Sequence, residues 1–478
     1  MSDNNDSSSR HLLTVVSLSF GLLLVSSALP WSKLTNNALK DFNLFEDLFP
    51  SDGIAAVTTT SSIVDPELEE LMAQAENSQT PASTNGTEAI AAIDSISTDS
   101  IKEADIVEVV EAPVIDGSVG IENYSGTSSL NHFRNALAEA GSRTVRIAVI
   151  GDSYIEGDIF CAKLREILQQ RYGGCGVGFI AAHNDFPGFR QSVGHKSSGW
   201  TMHDIRTMAR RDSIRTLSSD YGKAAGKASI SYNGRDKYAN TKSWERTRFV
   251  FIAPDSGTIS VCGSDGSNVA VPVSASALPQ AVTLNAPVTS ATISSDIAGL
   301  TALGSYLDGS TGVQVDAMSI RGNSGLGTSR INAGLCHEMA KWADYDLIIV
   351  EFGMNVLSAE QTDYTPYMTN MVKAVKHLQT CYPNADILVM GVGDRGVKIG
   401  SEVQSLPTVN AMVKAQRETA RRTNTHFWDT RAAMGGDLAV VDWRKRKLLN
   451  ADYIHLNHAG GDELAKLFDI ALKHSIDE

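Results

Sequence analysis

Positive charge is almost absent from a long stretch near the start of this chain. Between Lys40 and Arg134 the only Lys or Arg is Lys102, while Glu67, Glu69, Glu70, Glu76, Glu88, Glu103, Asp105, Glu108 and Glu111 crowd the same interval. The segment 31–125, and above all 50–125, is also rich in Ser, Thr and Ala. It cannot bury enough apolar surface to form a core and reads as an acidic, low-complexity tether, with local helix at Pro66–Ala75 as the alternative. A net charge of -14 argues against nucleic acid as a partner. Cysteine is scarce too. Cys161, Cys175, Cys262, Cys336 and Cys381 are scattered and odd in number, which excludes a disulfide framework or a Cys-x-x-Cys metal pattern and leaves buried free thiols. No Cys precedes Cys161, which argues against a lipoprotein. There is no Gly-x-Ser-x-Gly elbow, which argues against the α/β-hydrolase fold. His337-Glu338 lacks the second His of a zinc helix. Gly222–Ser229 is one residue short of a phosphate-binding loop and has Ala228 where Ser or Thr belongs.

Near the N-terminus one apolar stretch, Leu12–Leu29, carries no charge and follows Arg10 and His11. It is close to the roughly 20 residues that span a bilayer, and an uncleaved signal anchor with a cytoplasmic N-terminus fits it. Ser26-Ser27-Ala28 also suits a cleavage site, so a removable signal peptide stays open. Either way the bulk of the chain is expected outside the cytoplasm: anchored in the cell envelope, or secreted after cleavage. At 478 residues and 42% hydrophobic content the chain is long enough for more than one domain.

Three segments carry chemistry. Ile147–Ile150 is a β-branched apolar run that reads as a buried strand. It ends in Gly151-Asp152-Ser153, and an amphipathic helix with Leu164, Ile167 and Leu168 on one face follows. A serine there sits where open α/β sheets place their ligands. The second segment, Leu347–Val350, runs into Glu351-Phe352-Gly353 and then Asn355. The third is Asp452-Tyr453-Ile454-His455, ahead of a C-terminal helix at Asp462–His474. A serine hydroxyl needs a base, and the base needs an orienter. The three-residue step from Asp452 favours His455 over His458 as that base.

This pattern resembles the SGNH (GDSL-type) hydrolase family. Gly151-Asp152-Ser153 is similar to its first block, Gly322 to the second-block glycine (with Gly325 and Gly327 as rivals), Gly353-Met354-Asn355 to the third, and Asp452-x-x-His455 to the fifth. Val356 stands where the family usually has Asp. The resemblance covers about residues 142–190 and 315–478. It implies a three-layer α/β/α flavodoxin-like domain with a parallel sheet. It implies Ser153, His455 and Asp452 as a catalytic triad, and the Ser153 N–H, Gly322 N–H and Asn355 side chain as the oxyanion hole. It implies no metal or organic cofactor. The long gap between Ser153 and Gly322 is similar to the branch of envelope polysaccharide and peptidoglycan O-acetylesterases that carry an inserted β-domain. An acetylated glycan or peptidoglycan substrate follows from that likeness. O-acetyl transfer alongside a membrane acyltransferase, and a non-catalytic glycan-binding or scaffold role, stay open.

The insert has its own signature. Short alternating runs at Ala228–Tyr232, Thr247–Ile252, Thr258–Val261, Val269–Val273, Gln280–Leu284 and Ala291–Ser294 are separated by Gly, Asn, Asp and Pro. That texture predicts a small β-sandwich over 199–315, between catalytic segments 126–198 and 316–478. A further strand at Asp386–Met390 leads into Gly391–Gly396. Arg395 there is a candidate to grip a substrate carboxylate or phosphate, with a salt bridge to Asp394 as the alternative.

Overall fold

The computed structural model describes residues 114–115, 118–209 and 212–477. The Leu12–Leu29 segment and nearly all of the tether lie outside them. Among the described residues no helix is long and apolar enough to cross a membrane.

Two sheets organise the fold. The first has six strands: β1 (Glu122–Asn123), β2 (Thr144–Gly151), β3 (Gly312–Ser319), β4 (Leu347–Glu351), β5 (Asp386–Met390) and β6 (His426–Trp428). Their spatial order is β3-β2-β4-β5-β6-β1, and all pairs are parallel except β1 with β6. Every residue of β4, and all but the first of β2, is buried. Strands so apolar need cover on both faces. One group of helices packs together from Ala333–Ala343, Thr365–Cys381 and Val409–Thr423; another comes from Cys161–Tyr172 and His458–Asp477. The result is the three-layer parallel architecture expected.

Register brings the site together. Ser319 and Glu351 are each aligned with Gly151, and Met390 with Glu351. Four carboxyl ends therefore form one row. The loops that leave it carry Gly322, Ser153, Asn355 and Arg395.

The second sheet is antiparallel and has nine strands between Gly176 and Asp308. It encloses its own core, including Trp244, Phe249, Phe251, Ile259, Val261, Leu284 and Ile293. The strand Gln280–Val288 lies back against Gly257–Gly263 and Asn268–Val273. All six alternating runs fall inside its strands. The sheet is larger than the 199–315 boundaries, because it also takes Gly176–Ile180 and Val193–Asp204, whereas Gly312–Ser319 returns to the parallel sheet. Thr301–Asp308 is buried at all eight positions and so shows no alternation.

Buried ions join the two sheets. Asp158, after the Ser153 turn, receives both Arg165 nitrogens (2.7 and 2.8 Å) and the Ser192 hydroxyl (2.6 Å). These partners outweigh burial and hold its carboxyl below the usual range. Arg146 of β2 pairs with Asp316 of β3 at 2.9 Å and with Asp308 of the antiparallel sheet. The first strand is also earlier than the 126 boundary. Buried Glu122 takes Arg417 Nε at 2.9 and 3.0 Å, so the segment just before residue 126 is part of the catalytic sheet. The cysteines carry no disulfide. Cys161, Cys336 and Cys381 are buried, but Cys175 is half-buried and Cys262 exposed, because Cys262 lies in a strand with one solvent face.

Candidate active site

The turn after β2 is built by close approach. A Cβ on Gly151 would stand 2.7 Å from both the backbone oxygen and a carboxylate oxygen of Glu351, so only glycine fits. Asp152 is fully buried. Its Oδ1 accepts the Tyr154 N–H at 2.8 Å, which closes a local turn around Ser153. Its Oδ2 accepts the Asn355 side-chain amide at 2.8 Å. Burial pushes the Asp152 carboxyl up to about 7, against the opposing pull of the Tyr154 N–H, His455 and Asn355. Glu351, also fully buried, is raised well above the carboxylate range by burial and by the charge of Asp152.

Ser153 Oγ lies 2.9 Å from His455 Nε2, though the two residues are 302 positions apart. His455 Nδ1 lies 2.8 Å from Asp452 Oδ2. Asp452 Oδ1 accepts the N–H groups of Ile454 (2.9 Å) and His455 (3.0 Å), so the turn itself fixes the carboxylate. Burial raises the Asp452 pKa, but these hydrogen bonds dominate and leave it below the ordinary value. Asn457 Oδ1 accepts the Gly460 N–H at 3.1 Å and caps the final helix, which starts at His458 rather than Asp462. A hydroxyl, an imidazole and a carboxylate in line can take a proton from the hydroxyl and hold the resulting imidazolium.

The remaining sequence candidates resolve individually. Gly322 has φ +77° in the loop after β3, the left-handed region that suits glycine. Its rivals have other roles: Gly325 donates its N–H to Asn323 Oδ1 at 2.9 Å, and a Cβ at Gly325 or Gly327 would collide with Phe352 or Ile205. Asn355 donates through Nδ2 to Asp152 and, at 3.2 Å, to the Asn323 carbonyl. His458 Nε2 sits 3.0 Å from the Phe189 carbonyl and its ring packs on Phe189, away from Ser153. Arg395 differs from the expectation. Its Nη1 donates to the Met354 (3.2 Å) and Leu357 (2.9 Å) carbonyls, so it ties down the loop that carries Asn355. Asp394 is not its partner; it is buried and accepts Ser405 Oγ at 2.7 Å and the Val440 N–H at 3.2 Å.

Two site residues escaped the sequence reading. Glu351 was visible only as the single acid closing an apolar strand. Glu156, three residues beyond Ser153, donates its N–H to the Ser153 carbonyl at 3.4 Å and meets Arg321 Nε at 2.6 Å. Nothing local marks either one.

Residues 289–462 match the model of the GDSL-like Lipase/Acylhydrolase family. The matched span holds Gly322, Asn355, Asp452 and His455 and begins after Ser153. Among solved structures, a peptidoglycan O-acetylesterase covers 75% of this chain and 99% of its own, at 21% identity and a TM-score of 0.61. A family two carbohydrate esterase from Cellvibrio japonicus is 12% identical, covering 49% and 87% of the two chains, with a TM-score of 0.20. The salicylyl-acyltransferase SsfX3 of a tetracycline biosynthetic pathway is 12% identical, covering 59% and 94%, with a TM-score of 0.27. These last two are too distant in shape to carry weight. None of the curated proteins matches the chain.

Proposed function

We propose that this chain, an SGNH (GDSL-type) hydrolase and hence an esterase, removes O-acetyl groups from an envelope or extracellular glycan. The observation that carries the reading is the line Ser153 Oγ–His455 Nε2–Asp452, with contacts of 2.9 and 2.8 Å. Ser153 Oγ attacks the acetyl carbonyl while His455 Nε2 takes its proton. The Ser153 and Gly322 N–H groups and the Asn355 amide face the oxyanion, and Asn355 gives up its contact with the Asn323 carbonyl to do so. His455 then returns the proton to the departing sugar hydroxyl, which leaves acetyl-Ser153. Water, activated by the same imidazole, releases acetate. Asp452 keeps the His455 proton on Nδ1 throughout. The glycan substrate is supported by the shape shared with a peptidoglycan O-acetylesterase. Work outside the cytoplasm, held by the membrane through Leu12–Leu29, is supported by that apolar segment and the acidic stretch after it.

Wild type should release acetate from p-nitrophenyl acetate and from O-acetylated peptidoglycan, and Ser153→Ala should release it from neither. Undiminished hydrolysis by folded Ser153→Ala overturns the mechanism.

A further inference from the structure

A cavity of about 160 Å³ lies beside the Ser153 turn. An engineered apolar cavity of roughly 150 Å³ takes up benzene, so this open site has space for one six-membered ring whose substituents reach past its rim. Its walls come from three places: Glu156 and Gly157 of the Ser153 turn, Ser319–Arg321 at the end of β3, and Phe186 and Arg206 from the inserted region. The cavity adjoins the nucleophile turn through Glu156, whose N–H donates to the Ser153 carbonyl at 3.4 Å. Arg321 immediately precedes Gly322, so one loop offers a cavity side chain and a candidate oxyanion N–H.

Two features of the wall are unusual for a structural surface. Phe186 is 55% exposed, a large apolar ring in water at the rim. The guanidinium carbon of Arg321 lies 4.9 Å from the centre of that ring, and its Nε lies 2.6 Å from Glu156. Phe186, Arg321 and Glu156 thus form one continuous wall from rim to nucleophile turn. The Arg321 side chain remains 51% exposed, leaving donors free of bulk protein. Arg321 sits on Glu156, Arg206 on Asp204 and Arg190 on Asp158, while Asp185 and Asp220 add two further carboxyl groups to the lining. A wall of ion pairs with carboxyl groups in excess offers donors and acceptors to hydroxyl groups and disfavours an anionic sugar. An exposed aromatic face offers an apolar platform for the C–H face of a ring.

We infer that this cavity is the subsite for the sugar bearing the ester, and that it takes an uncharged hexopyranose, with Phe186 stacking on the ring and the Arg321–Glu156 pair bonding its hydroxyls. The inference rests on the glycan esterase reading and specifies its leaving group. Catalysis at Ser153 and recognition in the cavity are then separate functions of adjacent walls.

The test compares kcat and KM of full-length wild type, Phe186→Ala and Arg321→Lys on methyl 6-O-acetyl-glucoside and on p-nitrophenyl acetate. Each variant should raise KM for the sugar ester roughly tenfold, with kcat on that ester changing less than about twofold. The ratio of kcat/KM between sugar ester and p-nitrophenyl acetate should fall by the same factor. Phe186 packs little, so unfolding temperature reports whether the variant is intact. A ratio unchanged in both variants overturns the subsite and leaves the esterase standing. So does wild-type hydrolysis of acetylated polyuronate in preference to the glucoside. Wild type inactive on both small esters brings down the esterase reading itself.

Discussion

Asp452→Asn isolates the part of the proposed triad that a folded structure can lose without losing shape. Asp452 Oδ1 accepts two backbone N–H groups, at 2.9 and 3.0 Å, and an Asn carbonyl oxygen can accept the same two. The turn should therefore survive. What changes is the atom facing His455 Nδ1 at 2.8 Å: a carboxylate oxygen becomes an NH2 group. That donor can only face an unprotonated Nδ1. The imidazole must then carry its proton on Nε2, pointing at Ser153 Oγ, and it is no longer a base. Losing the carboxylate also removes its attraction for the imidazolium. At about 4 Å and an effective dielectric constant near 20 this attraction is about 4 kcal/mol. The Asp452 side chain is 36% exposed, so screening reduces the figure to about 3 kcal/mol. That corresponds to roughly a 100-fold loss in kcat, and the wrong tautomer extends it toward roughly 1000-fold. The assay is kcat/KM on p-nitrophenyl acetate, with thermal unfolding as the control for folding. Activity within about fivefold of wild type in a folded variant refutes the argument. Stability gives an independent sign. A carboxyl held below its unfolded value stabilises above that value, about 3.9, and the benefit is lost as pH falls through the folded pKa. The stability gap between wild type and Asp452→Asn should therefore close below about pH 4 and stay constant above about pH 5.

Three further outcomes are expected. His455→Ala should be about as inactive as Ser153→Ala, and the double variant little worse, because they act as a unit; His458→Ala, whose ring faces the Phe189 carbonyl, should keep turnover within severalfold of wild type, measured on the same ester. Asn355→Ala should lower kcat roughly 100- to 1000-fold yet still permit labelling of Ser153 by a serine-directed phosphonate; unchanged kcat would remove Asn355 from the oxyanion hole. Glu351→Gln replaces a buried carboxyl by a neutral isostere: because the folded pKa is raised, the wild-type contribution is full below about pH 4.3 and declines as pH rises toward the folded value. The variant should thus gain melting temperature relative to wild type as pH rises above about 4.3, and a pH-independent difference would refute the raised pKa.

The sequence determined whatever local chemistry encodes. A β-branched run closed by Gly151-Asp152-Ser153 specifies a buried strand and a turn, because solvent exclusion and turn geometry act over a few residues. Asp452-x-x-His455 specifies a carboxylate and an imidazole that one turn can join. The order of those blocks, with an alternating β segment between them, was enough for the fold class. Partners across the chain were another matter. Glu351 closes an apolar strand like any terminal acid until register sets it beneath Gly151, 199 residues from the Asp152 N–H it faces at 3.5 Å. Arg395 looks available to a ligand until the Met354 and Leu357 carbonyls come within reach. Glu122 looks like the end of an acidic tether until Arg417 meets it across the sheet edge. The insert begins earlier partly for the same reason: Gly176–Ile180, buried at every position, lacks the alternation that marks a half-exposed strand. Burial pattern is written along the chain, but the identity of a contact depends on register and layer packing, which exist only once the strands have assembled.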